Sequence, residues 1–146
     1  MTQTRSPEAR SAETRSVVIE RDMPHPPEKV WRALTTQPLI EDWLMANDFA
    51  PKVGHRFRLS TTPVGGWNGI IDCQVLAVEP PERLSYTWAS MGLESVVTFT
   101  VTPTAAGARL RMEQSGFPAD ATQNLRGAEY GWNNFLGRLE QVVERA

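Results

Sequence analysis

The chain has 146 residues, 40% of them hydrophobic and 22% charged, with a formal net charge of −2 at pH 7. That balance suits one globular domain that needs no metal or disulfide staple, and it gives no electrostatic reason to expect nucleic acid or an anionic membrane as partner. The single cysteine, Cys73, excludes an internal disulfide framework and fits a reducing cytoplasm, and with no apolar run of about 18 residues no membrane insertion is expected.

Residues 1–14 are rich in Thr, Ser, Ala, Arg and Glu and lack the apolar centre of a signal peptide. They read as a disordered leader, and residues 15–146 as the one domain. Val17, Val18 and Ile19, within residues 15–21, predict a first strand. Pro26 and Pro27 then open a helix, where a missing N–H costs nothing, and Glu28 meets the positive end of its dipole. Val30, Trp31 and Leu34 fall on one face of that helix. Pro38 restarts a second short helix through Ile40, Trp43 and Leu44.

From Gly54 the hydrophobic period switches to two. Phe57 and Leu59 alternate with Arg56 and Arg58; after a turn at residues 63–68, Ile71, Cys73, Val75 and Ala77 alternate with Asp72 and Gln74. Leu84, Tyr86 and Trp88 form the next row, then Val97, Phe99 and Val101, then Leu110 and Met112. Five strands with short connections predict an antiparallel meander. Residues 115–122 break the pattern, and Asp120 or Thr122 is placed to cap a final helix. Over residues 123–145, Leu125, Trp132, Leu136, Leu139 and Val143, with Phe135 and Val142 beside them, define one stripe of that long helix. Gly127, Gly131 and Gly137 sit inside it, each costing about 1 kcal/mol relative to alanine. Gly131 therefore serves either close approach to the sheet or space for a guest.

Several chemistries find little footing. His25, His55 and Cys73 are the only soft metal ligands, and both histidines are expected exposed at element starts, so no metal site and no cofactor are read. Cys73 lies mid-strand among apolar neighbours with no adjacent base, which makes it a small buried hydrophobe or a cavity wall rather than a nucleophile. Asp72, Glu94 and Glu113 would be candidate acid–base groups if they faced an apolar cavity, but strand parity turns Asp72 and Glu113 outward. The glycine-rich residues 65–69 lack the Lys-Ser/Thr ending of a phosphate loop and read as turn chemistry. Trp67, in that turn, is placed either to cover a cavity mouth or to stand exposed.

The order strand, two short helices, meander and long C-terminal helix is the helix-grip plan. The residues carry a resemblance as well. Pro27, Glu28, Val30, Trp31 and Leu34, followed by Glu41, Asp42, Trp43 and Leu44, resemble the opening of the SRPBCC or START-like superfamily. More narrowly they resemble the branch named for activators of the heat-shock chaperone ATPase. The likeness continues through Gly54, Phe57 and Leu59, through Pro80, Pro81, Leu84, Tyr86 and Trp88, through Ser115, Gly116 and Phe117, and ends at Gly131 and Trp132. It implies an α+β fold in which a curved antiparallel sheet of about six strands grips the C-terminal helix around a cavity. Members of the superfamily bind lipids, hormones and polyketides, and a few catalyse reactions, so the likeness implies no single activity.

The first expectation is therefore binding of a small hydrophobic or aromatic molecule, lipid or polyketide-like, without catalysis. Phe57, Trp67, Cys73, Trp88, Phe99, Met112, Trp132 and Leu136 are the expected ligand-binding residues, because ligand sites are mostly apolar with a few polar groups. Two alternatives stand beside it. One is a chaperone co-factor or protein-interaction module docking an acidic partner on Arg56, Arg58, Arg109 and Arg111. The other is a cyclase- or hydrolase-type enzyme using the same cavity. An open edge strand also offers a pairing surface for a homodimer.

Overall fold

The computed structural model describes residues 14–146, so the expected leader lies outside the described residues apart from Thr14. Strand β1 (Thr14–Met23) is followed by helices α1 (Pro27–Thr35) and α2 (Gln37–Trp43). Six more strands follow: β2 (Ala46–Asn47), β3 (Arg56–Ser60), β4 (Ile70–Glu79), β5 (Arg83–Ser90), β6 (Leu93–Pro103) and β7 (Ala108–Pro118). Helix α3 (Thr122–Arg145) ends the chain. All strands belong to one antiparallel sheet ordered β1-β7-β6-β5-β4-β3-β2. The meander is thus as expected, with β1 returning to pair along β7. The strand beyond the expected six is β2, whose two residues are too few to show any alternation.

Each element forms for a local reason. Pro27 occupies the first turn of α1 with Glu28 beside it. Its buried stripe is Val30, Ala33 and Leu34, while Trp31 is only half-buried at the margin. Trp43 at the end of α2 donates its indole N–H to the Ala33 carbonyl at 2.9 Å, which locks the two short helices together inside the core. The stripe of α3 is as read: Leu125, Trp132, Leu136, Leu139, Val142 and Val143 are buried. Its N-cap is Ala121 with no side-chain cap, so neither Asp120 nor Thr122 takes that role. Arg21 of β1 holds α3 to the sheet edge through Glu140 at 2.7 Å and Asn133 Oδ1 at 3.0 Å.

Two irregularities shift what alternation predicts. In β4, Val75 pairs with Tyr86 but Ala77 pairs with Ser85, so Leu76 is an extra residue and the inward phase passes from Ala77 to Val78. In β7, the expected break at residue 115 is a bulge instead. Arg15 pairs with Phe117 and Ser16 with Ser115, leaving Gly116 between them. Gly116 has φ +111, and a Cβ there would stand 3.1 Å from the Glu94 carbonyl oxygen. Only glycine fits, and the strand runs on to Pro118.

The inner face of the sheet is filled by a continuous run of aromatic rings. Phe49 and Phe57 are 5.2 Å apart by centroid, Phe57 and Tyr86 5.1 Å, Tyr86 and Phe99 6.0 Å. The run continues from Phe99 to Trp132 at 5.9 Å and from Trp132 to Trp88 at 5.2 Å. Most of these contacts are edge-on, as ring quadrupoles favour. This packing closes most of the space between sheet and helix, and leaves a gap at the far end of the row.

Candidate binding cleft

Beyond Trp88 a cleft of about 580 Å³ opens between the sheet and the first half of α3. That is within the roughly 300–1,000 Å³ usual for small-molecule sites. Three indoles bound it: Trp88 from β5, Trp132 from α3 and Trp67 from the loop between β3 and β4. The base of that loop is closed by Thr61 N–H donating to the Gly69 carbonyl at 2.8 Å. Gly69 lies at φ +79 with the Thr61 carbonyl where a Cβ would be, so no other residue fits. At its tip Val64 and Trp67 pair around Gly65 and Gly66. Trp67 then donates its indole N–H to Ser90 Oγ at 2.9 Å, and Ser90 donates to the Ile70 carbonyl at 3.3 Å. The turn tryptophan is thereby fixed over one side of the cleft.

The helix side is made by absence. Gly127 and Gly131 both line the cleft; a Cβ built on Gly127 meets nothing within 4 Å, and one on Gly131 meets only Phe135 at 4.0 Å. These glycines do not serve close approach to the sheet. They leave room. Met91, 75% exposed at the β5–β6 turn, lies at the rim with φ 53, a left-handed conformation unusual for its side chain.

Across the floor runs a chain of hydrogen bonds. Trp132 Nε1 donates to Gln114 Oε1 at 2.8 Å, Gln114 Nε2 donates to Ser95 Oγ at 2.9 Å, and Ser95 donates to the Trp88 carbonyl at 3.1 Å. Two of the three cleft tryptophans are thus joined through β6 and β7. Among the described residues that line the cleft, none carries a titratable side chain.

Of the expected binding residues, the fold brings Trp67, Trp88 and Trp132 together on this cleft. Phe99, Met112 and Leu136 are fully buried in the packed interior, and Phe57 and Cys73 are buried at the opposite end of the ring row. None of these five lines the cleft. Burial pushes the Cys73 thiol well above its ordinary range, with the Asp72 and Asp48 charges adding to the effect. It is a packing residue. Gln114, Ser90 and Met91, which line the cleft, were not among the expected binding residues. Gln114 did leave a signal, since it continues the inward row of Leu110 and Met112 with a polar side chain.

Other candidates lie elsewhere. A second opening of about 580 Å³ spans the outer face of β4–β7, walled by strand-face groups such as Asp72, Gln74, Thr87 and Glu94. Asp72 is exposed there and paired with Arg58 at 2.9 Å. Glu94 is exposed, and Glu113 is paired with Arg111 at 3.1 Å. Both histidines are half-buried rather than exposed, and His55 bonds the Asp48 carbonyl at 2.8 Å while stacking on Phe57. Among the described residues no three His, Cys, Asp or Glu side chains group as a metal ion would need, and no helix is long and apolar enough to cross a membrane.

Residues 24–144 match the family described as Activator of Hsp90 ATPase homolog 1-like protein. Among solved structures, protein MLL2253 from Mesorhizobium loti is 54% identical with a TM-score of 0.83, over 90% of this chain and 98% of that one. CalU16 from Micromonospora echinospora is 25% identical with a TM-score of 0.74, over 89% of this chain and 76% of that one. DynU16, a protein in the dynemicin biosynthetic locus, is 26% identical with a TM-score of 0.76 over 88% of this chain. The match spans only 47% of DynU16 itself. No curated protein is detectably similar in sequence.

Proposed function

The chain belongs to the Activator of Hsp90 ATPase homolog 1-like family, within the SRPBCC or helix-grip superfamily, and we propose that it binds a small hydrophobic or aromatic molecule in the cleft between sheet and α3, without catalysing a reaction on it. The observation that carries this reading is an open, uncharged cleft bounded by Trp67, Trp88 and Trp132. Three indoles offer large flat apolar contact at little entropic cost, and their polar N–H groups are already committed in two cases. The likeness to a protein of a biosynthetic locus supports a small-molecule role. The lining supplies neither acid nor base, so a cyclase or hydrolase reading lacks the group that would move a proton.

The protein-module alternative draws less support. Arg58, Arg109 and Arg111 each pair with a carboxylate of their own sheet, at 2.9, 2.7 and 3.1 Å. An acidic partner would find three of the four arginines already neutralised, Arg56 alone having no such pair among the described residues. We further take the protein to be cytoplasmic, a reading supported by its one buried, unpaired cysteine.

Native mass spectrometry of the freshly purified protein, with a thermal-shift screen of fatty acids, sterols and fused-ring aromatics, tests the reading. A guest at about 100 times its dissociation constant adds roughly 2.7 kcal/mol, raising the midpoint by about 5–10 °C at this size. A co-purifying mass or such a shift is expected. A clean apo mass with no shift from any class would overturn it.

A further inference from the structure

Gln114 is 3% exposed, lines the cleft and occupies an inward position where apolar residues precede it. Its orientation is dictated by its neighbour. An indole N–H can only donate, so the amide oxygen must face Trp132, and Nε2 must then face Ser95. Ser95 Oγ accepts there and gives its own hydrogen to the Trp88 carbonyl. A primary amide nitrogen has two hydrogens. Ser95 takes one, and among the described residues the other has no acceptor. Leaving a buried donor unmade is costly, which makes an orphan on a cleft floor a demand for a partner.

We infer, resting on the binding reading above, that Gln114 selects the guest by donating its second Nε2–H to an acceptor atom at the guest's inner end. The guest is uncharged, because no lining side chain carries a charge to offset one. It is flat at its inner end, where it lies between Trp88 and the bare backbone of Gly127 and Gly131. The glycines set the width of the site and Gln114 reads the polarity of what enters.

Three naphthalenes separate these requirements by equilibrium dialysis. 2-Acetylnaphthalene carries a carbonyl acceptor, 2-isopropylnaphthalene has nearly the same shape without one, and 2-naphthoate carries a charge. The wild-type protein is expected to bind the acetyl compound about ten-fold or more tighter than either other probe, since a site built to hydrogen-bond rejects the analogue that cannot. Gln114→Met, apolar and of similar length, is expected to bring the acetyl-to-isopropyl ratio to about one. Equal wild-type affinity for those two, or a preference kept by folded Gln114→Met, would overturn the inference and leave small-molecule binding standing. Binding of none of the three would sink this inference, and the reading it rests on would fall with it only if the wider screen of fatty acids, sterols and fused-ring aromatics also found no guest. Should Gln114→Met not fold, the wild-type ratio alone decides.

Discussion

Gly127 and Gly131 stand one turn apart on the cleft face of α3, and a methyl added to Gly127 would touch nothing within 4 Å, while on Gly131 it would only graze Phe135. A helix interior ordinarily disfavours both residues by about 1 kcal/mol relative to alanine. Neither is required by the backbone, so the space above them is what their presence provides. Gly127→Ala and Gly131→Ala are each expected to stabilise the protein by about 0.5–1 kcal/mol while weakening 2-acetylnaphthalene binding several-fold. Gly137→Ala is the control: its methyl also meets nothing, but it lies off the cleft, so stability rises with binding unchanged. Thermal unfolding and equilibrium dialysis on the three variants decide this.

Trp132 is 2% exposed and holds Gln114 by its one N–H. Trp132→Phe removes that donor, strands the amide oxygen and shrinks the ring. A loss of about 2–4 kcal/mol is expected in chemical denaturation. Adding Gln114→Met should cost less than the sum of the two single changes, because the stranded oxygen is gone. Strict additivity would mean that the bond contributes nothing.

Tyr86 is buried against Phe57 and Phe99, and among the described residues its hydroxyl has no hydrogen-bond partner. Burial holds its ionisation far above the ordinary range, with Cys73 adding to the effect. Tyr86→Phe should therefore raise stability, by about 1 kcal/mol. A fall of the same size would reveal a water bound to the hydroxyl.

Cys73 is the one thiol, buried and with its ionisation driven upward. At pH 8 an aromatic disulfide reagent is expected to react with it only as fast as the protein opens, and at once in denaturant. Rapid labelling of the native protein would show that the thiol is accessible.

Arg109 donates to both carboxylate oxygens of Asp22, at 2.7 and 3.3 Å, and so holds the Asp22 carboxyl below its ordinary value of 3.8. A depressed carboxyl contributes its stabilisation fully above the unfolded value and loses it as pH falls through the folded one. The difference in stability between wild type and Asp22→Asn should thus be constant from neutral pH down to about 4 and shrink below it. An NMR titration of Asp22 with a midpoint above 3.8 would contradict the geometry.

Element order was readable because it depends on neighbours along the chain. The alternation of Leu84, Tyr86 and Trp88, the proline at the start of α1 and the stripe from Leu125 to Val143 each report one face of one element. The bulges at Leu76 and Gly116 were not readable, because an extra residue is defined only against the strand beside it. The same distinction separates Phe99 and Met112 from Trp67. All three are apolar and plausible as walls, and nothing local says which of them faces empty space.

The amino-acid sequence by itself determined the family, the α+β helix-grip plan, the inward rows and the inventory of aromatics, since these depend on local periodicity, composition and the order of short motifs. The tertiary structure alone decided where the rings leave a gap, and that Trp67, Trp88, Trp132 and Gln114 meet around it. A cleft is the volume that packing fails to fill, so it depends on how every element sits against the others. No single segment carries that information.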